Sequence, residues 1–202
     1  MRRSKQDSQQ TRDDLLHAAL TVFDEFGVSR ASLQQIAQSA GVTRGALYWH
    51  FKNKEDLFDA LCEKMLSELD KNLTKRGFHG DSWRAFRDDS LLFFHYLLEN
   101  QDAQKFLRIL HTKLEHTEEN RAIRLIWEKY VILHEKQFYQ VLAQARINGE
   151  LPANMDTSEV LAAVSAVKYG LIGSWLLRPD FDLIKTGRIV LNGVLKELQT
   201  QP

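Results

Sequence analysis

The sequence predicts an all-α fold: an N-terminal three-helix unit over residues 1–52, then a larger helical block over 53–202, about nine helices in all. Three observations predict it. Apolar residues recur every three to four positions over long stretches, as in Leu15, Leu16, Ala19, Val22, Phe23 and Phe26, or Leu57, Phe58, Leu61, Met65, Leu66, Leu69 and Leu73. Only three prolines interrupt the chain, and Pro152, Pro179 and the terminal Pro202 fall outside those stretches. No segment alternates convincingly at period two, so no strand is expected. With 202 residues, 44% hydrophobic and 27% charged, the composition is that of a globular chain and excludes a disordered one.

Taken in order, residues 1–10 are polar and expected to fray, with Arg2, Arg3 and Lys5 available to phosphates as a basic arm. The first helix is expected from about Thr11 to Phe26, ended by Gly27 as its C′ residue. Ser32 and Gln35 have capping-box spacing and open a second helix, which Ala40-Gly41-Val42 closes. Thr43 is a suitable N-cap for a short third helix ending near Phe51. Asn53, with Asp56 three residues on, opens a long helix to about Arg76. At 1.5 Å per residue it extends roughly 30 Å, enough to begin at the first unit and end in the second block as a mechanical link. Gly77-Phe78-His79-Gly80 is the clearest break. Helices are then expected at about 82–100, 103–114, 120–148, 157–178 and 182–200, with Asp156 and Glu159 in capping-box spacing before the fourth of these.

The third helix has unusual chemistry. Ala46, Leu47 and Phe51 are spaced to dock on a core, which turns Arg44, Gly45, Tyr48, Trp49 and His50 outward. That outer face carries two large aromatics, an Arg and a His and no carboxylate, which suits a polyanion. Helix, tight Gly-containing turn, helix is the helix-turn-helix layout, whose second helix enters the major groove of duplex DNA. The candidate DNA-binding residues are Ser32, Thr43, Arg44, Gly45, Tyr48, Trp49, His50 and Lys54. Arg44 is the candidate base reader, with guanine as its geometric partner. Thr43, Tyr48, His50 and Lys54 would hold phosphates, and Trp49 would pack on sugar or thymine methyl groups.

The string Leu33-Gln34-Gln35-Ile36-Ala37, followed by the run from Ala40 to Phe58, resembles the DNA-binding domain of the TetR family of bacterial repressors, and within it the multidrug-efflux repressors of the AcrR type. The resemblance extends from about Thr11 to Leu61. Weaker likenesses lie at Ile109–Glu115, Gly149–Ala153, Gly170–Ile172 and Trp175–Asp180. It implies a cytoplasmic, ligand-responsive repressor of an efflux-pump operon, released from a palindromic operator when a lipophilic or amphipathic compound such as a drug, dye or bile acid binds the helical core. By position, that core site would include Phe93, Leu107, His111, His134, Phe138, Lys168 and Tyr169. Lys168 and Tyr169 depart from the subgroup, where small or acidic side chains are familiar, and Leu107 stands where a polar residue is often found. These departures imply a preference for anionic or neutral apolar ligands. The resemblance calls for no cofactor and no enzymatic activity.

The residues alone leave the second block more open. It is rich in aromatics, among them Trp83, Phe86, Phe93, Phe94, Tyr96, Phe106, Trp127, Tyr130, Phe138, Tyr139, Tyr169 and Trp175. His95, His111, His134 and Lys168 interleave with them, which describes either an ordinary core with bonded polar groups or an apolar pocket with a few directing atoms. The last two helices carry apolar residues on more than one face. A two-fold homodimer meeting through Leu161, Val164, Leu171, Trp175, Leu191, Val194, Leu195 and Leu198 would cover the outer one.

Several classes of chemistry find no support. Gly-x-Ser-x-Gly, the P-loop, Gly-x-Gly-x-x-Gly and His-Glu-x-x-His motifs are absent, and no metal site is expected: the His111…Glu115 pair reads as a solvated helix face. A single cysteine, Cys62, permits no intramolecular disulfide and favours a reducing compartment. No signal peptide or membrane span is expected, the stretch from Val160 to Leu177 being broken by Ser165, Lys168 and Ser174. Net charge is zero, yet residues 1–54 hold eight Lys/Arg against five Asp/Glu. Alternatives to the efflux-repressor reading are a related repressor of another pathway, such as acyl-CoA sensing, a repressor controlled by a partner protein, and an all-α enzyme or carrier with an accessory DNA unit.

Overall fold

The computed structural model describes residues 5–76, 83–115, 117–152 and 155–200. The Gly77–Gly80 break, the Arg2 and Arg3 arm, and the side chains of Lys5, Trp83, Phe86, Leu195 and Leu198 lie outside the described parts. Among the described residues there are nine α-helices and no strand. They are α1 Lys5–Phe26, α2 Leu33–Ser39, α3 Arg44–His50, α4 Lys54–Lys75, α5 Trp83–Glu99, α6 Gln101–Arg108, α7 Arg121–Ile147, α8 Thr157–Leu177 and α9 Leu183–Thr200, with a π-helical turn at Ile109–Lys113 after α6. The all-α expectation holds.

Two boundaries differ from expectation. α1 starts at Lys5, six residues before Thr11, because its polar first turns bond to themselves: Gln9 donates to Asp13, Gln10 to Asp14, and the Thr11 hydroxyl to the Asp7 carbonyl at 2.9 Å. The helix expected up to Leu114 instead widens into the π turn. There the Lys113 carbonyl accepts from the Val28 amide at 3.3 Å, outside its own helix. At α8 the Asp156 carboxylate caps the backbone N–H and hydroxyl of Ser158, in place of a box closed by the Glu159 side chain.

The chain divides into two compact units, one comprising Met1–Glu68 and Asp102–Tyr130, the other Leu69–Gln101 and Val131–Pro202. The first is built on Leu15, Leu16, Phe23, Ile36, Leu47, Phe51, Leu57, Phe58 and Leu61, all at most 2% exposed, with Phe106 and Ile109 added from α6 and the π turn. Phe23 and Phe58 meet edge to face at 6.1 Å, and Arg108 bonds both Asp24 carboxylate oxygens. The second packs α9 against α5 and α8, around a core of Phe138, Leu142, Leu151, Val160, Leu161 and Val164. Gly187 permits that packing: a Cβ there would sit 2.6 Å from Cε2 of Phe94.

Among the described residues α8 is the one helix long and apolar enough to cross a membrane by length and composition alone, a test that the core helix of a globular protein also passes, and it is the stretch whose run the sequence shows interrupted by Ser165, Lys168 and Ser174. Lys168 lies within this helix.

Candidate nucleic-acid interface and ligand site

Each end of the α2–α3 pair is fixed by local bonds that the sequence specifies. The Ser32 hydroxyl accepts from the Gln35 amide at 3.2 Å, and the Gln35 side chain accepts from the Ser32 amide at 2.9 Å, a complete capping box. At the turn Gly41 adopts φ +66°, the left-handed region that glycine enters without steric cost. Its amide bonds the Gln38 carbonyl and the Val42 amide bonds the Ala37 carbonyl, both at 3.0 Å, closing a Schellman motif. Thr43 then caps α3, its hydroxyl accepting from Ala46 at 3.1 Å. Leu47 and Phe51, 0% and 2% exposed, anchor this short helix from one side.

The opposite side projects into solvent. Trp49 is 73% exposed and Tyr48 44%, beside exposed Thr43, Arg44 and Gly45 and half-buried His50. Such exposure of a large indole costs hydration free energy unless a partner covers it. The Arg44 guanidinium donates to the Tyr48 hydroxyl at 3.2 Å and stands 5.3 Å from its ring centre, so it is aligned along the outer face. Trp49 and His50 meet edge-on at 4.6 Å. At Gly45 a Cβ would touch nothing closer than the Thr43 hydroxyl at 3.9 Å, so protein packing does not demand the glycine there. It leaves a flat spot where another molecule's backbone can approach. An open groove beside α3 is lined by Gln34, Ala37, Gln38, Val42 and Arg44. Gln34 and Gln38 bring amide donors and acceptors that the motif reading overlooked; their i, i+4 spacing on α2 was the available signal.

Lys54 has a different position from the one expected. Its ammonium donates to the carbonyls of Val28, Ser29 and Ala31 at 2.9, 3.0 and 3.3 Å. Three carbonyls match its three N–H donors, so in the free chain Lys54 ties α4 to the α1–α2 connection. The same connection is held by Ser29, which donates to Glu115 and accepts from Asn120.

The expected ligand-site residues fall into both units. Leu107 and His111 belong to the first, both half-buried, with His111 in the π turn and its pKa lowered by burial. Phe93, His134, Phe138, Lys168 and Tyr169 belong to the second. There the Lys168 ammonium lies 5.7 Å from the centre of the Phe93 ring. Burial lowers its pKa to about 8, against the pull of Asp89. Burial likewise pushes His134 down to about 4, with the Lys168 charge adding to it. Yet Lys168 is only partly shielded from solvent and His134 is open to it. Phe138 is buried in the core and Tyr169 is 60% exposed.

The residues expected at a subunit interface differ in how far the chain itself covers them. Leu161, Val164 and Leu191 are 7%, 3% and 0% exposed, covered by the chain's own helices, so they leave little surface to offer a second copy. Leu171, Trp175 and Val194 are half-buried, while Tyr169, Leu177 and Ile189 stand out into solvent on the same helices. Among the described residues no group of three or more His, Cys, Asp or Glu side chains converges on a common point.

Comparison with known proteins gives this geometry its context. A family model described as bacterial regulatory proteins, tetR family, matches residues 15–61. Another, described as the MAATS-type transcriptional repressor C-terminal region, matches residues 81–200. The chain belongs to the TetR family. As a TetR-family transcriptional repressor it is 37% identical over 183 residues to the probable regulator ArpR of Pseudomonas putida, covering 89% of this chain and 87% of that one. It is 30% identical over 198 residues to the probable acrEF/envCD operon repressor of Escherichia coli K12, covering 96% and 90%. The crystal structure of NalD, secondary repressor of the MexAB-OprM multidrug efflux pump in Pseudomonas aeruginosa, superposes with a TM-score of 0.80 at 34% identity, covering 98% of this chain and all of that one. A SmeT–triclosan complex does so with 0.79 at 26% identity, covering 93% and 91%. These TetR-family relatives are transcriptional regulators, and the α2–α3 pair here lies within the matched DNA-binding region.

Proposed function

We propose that this TetR-family repressor holds a palindromic operator as a homodimer in the cytoplasm, and releases it when a lipophilic or amphipathic compound binds the second unit. The operator would control a multidrug efflux pump, a reading supported by the likeness to NalD and to the acrEF/envCD operon repressor. Residues 1–52 form the reading head and 53–202 the sensing and pairing part. The outer face of α3 carries the reading, with Trp49 and Tyr48 exposed, Arg44 aligned beside them and no carboxylate on the helix. Arg44 reads a base, with Gln34 and Gln38 as additional groove-facing partners. Thr43, Tyr48 and His50 contact phosphate and Trp49 the sugar edge. Ser32 fixes α2, and Lys54 supports the head from behind.

The surface of α8 and α9 supports pairing. Only 22% of the apolar α8 window is buried by its own chain, and a second copy over Leu171, Trp175, Leu177 and Ile189 would cover it. The pocket consists of Phe93, His134, Phe138, Lys168 and Tyr169. A ligand there with unequal affinity for two dimer states shifts the spacing of the reading heads through α4, whose chain continues from one unit into the other.

Fluorescence anisotropy with the duplex flanking the chain's own coding region tests this reading. The expected result is two chains per palindrome, an affinity that falls steeply with salt, and release by at least one lipophilic compound. A monomer in sedimentation, or indifference to duplex DNA at low ionic strength, would overturn it.

A further inference from the structure

We infer that the second-unit pocket is built for an anion: an amphipathic ligand whose acidic group sits on the Lys168 ammonium and the Ser90 hydroxyl, with its apolar body against the Phe93 ring. This rests on the ligand-pocket reading above and adds the charge of the ligand. Ser90 on α5 is 3% exposed, and its hydroxyl finds no hydrogen-bond partner among the described residues. A buried hydroxyl left in that condition is costly unless a ligand supplies an acceptor. Phe93 lies one helical turn further along α5, so Ser90 and Phe93 share a side of that helix. From α8 the Lys168 ammonium lies over that same ring at 5.7 Å.

The neighbouring charges fit this assignment. Asp89, 5% exposed, attracts Lys168 and keeps a cation acceptable at this depth. An ammonium has three donors and can serve two carboxylates at once. His134 is held neutral near pH 7, so it adds a donor and an acceptor to the pocket without a second positive charge. A cationic ligand against the Phe93 ring would meet like-charge repulsion from the Lys168 ammonium beside it. Carboxylates, phenolates and sulfonates on aromatic or aliphatic bodies are the class that satisfies both Lys168 and Ser90.

Isothermal titration calorimetry on the full chain at pH 7 tests this with 2-naphthoate and 2-naphthamide, matched in shape and different in charge. The wild type is expected to bind naphthoate roughly 10-fold or more tighter than the amide, the effect of one charge-assisted contact. K168M should abolish that preference while the amide still binds. K168R should keep it, and S90A should weaken naphthoate several-fold and spare the amide. Equal affinities in the wild type, or a preference that survives K168M, would overturn the charge assignment and leave the pocket reading standing. Failure of naphthoate, naphthamide and the lipophilic cation ethidium alike to bind would remove both. Should K168M lose its circular dichroism signature, the wild-type probe pair together with K168R and S90A decides.

Discussion

Arg44 is held by the Tyr48 hydroxyl and ring, so its guanidinium is ordered before any DNA arrives. Replacing it with Ala should cost roughly 1–3 kcal/mol of operator affinity and relax specificity at one base pair. Anisotropy against single-base operator variants measures this, and unchanged discrimination would take the base-reading role away from Arg44. Lys54→Met should act elsewhere. Three carbonyls lose their donor, so stability in urea should fall by about 1–3 kcal/mol, with the salt slope of DNA binding unchanged. A slope shallower by about one would return Lys54 to a phosphate. The outward set was legible because helical periodicity, with Leu47 and Phe51 inside, leaves Arg44, Tyr48 and Trp49 nowhere else to point. The Lys54 contacts were not, because its partners lie 23 to 26 residues away. The burial of Leu161, Val164 and Leu191 under the chain's own helices was not legible for a related reason: periodicity marks an apolar face without saying which neighbour covers it.

At the scale of elements, the starts of α2 and α3 were readable because caps are local chemistry: Ser32, Gln35 and Thr43 bond within three residues of themselves. The π turn was not readable. Its anchor is the Val28 amide, more than 80 residues earlier in the chain. The packing of α5 on α9 through Gly187 has the same long-range origin. Gly187→Ala places a methyl group 2.6 Å from a Phe94 ring that is itself 0% exposed and has little room to yield. The expected cost is about 1–3 kcal/mol of overpacking, seen as a lower urea midpoint at unchanged helix content. A midpoint equal to the wild type's would mean that α5 and α9 separate easily at this point.

Across the whole molecule, zero net charge conceals an N-terminal excess of Lys and Arg, so salt sensitivity of DNA binding should come from the reading heads. Stability should also depend on pH through His134. In the unfolded chain its imidazole takes up a proton near 6.5, whereas in the folded protein burial and Lys168 delay this to about 4. The stabilising effect of keeping it neutral is therefore complete above pH 6.5 and lost as pH falls from there towards 4. Urea midpoints at pH 7 and pH 5 should differ, and His134→Gln should reduce the difference. A wild-type midpoint that does not move would show that His134 titrates as in water.

Trp49 gives the protein an optical signal of its own. The sequence holds four tryptophans, and while Trp127 and Trp175 are half-buried, Trp49 stands 73% exposed on the face we propose for the operator. In the free protein acrylamide should quench its emission readily, and duplex DNA should shield it and shift the spectrum to the blue. A Trp49→Phe variant should lose that response. Occupancy of the operator can then be followed without a dye on either molecule.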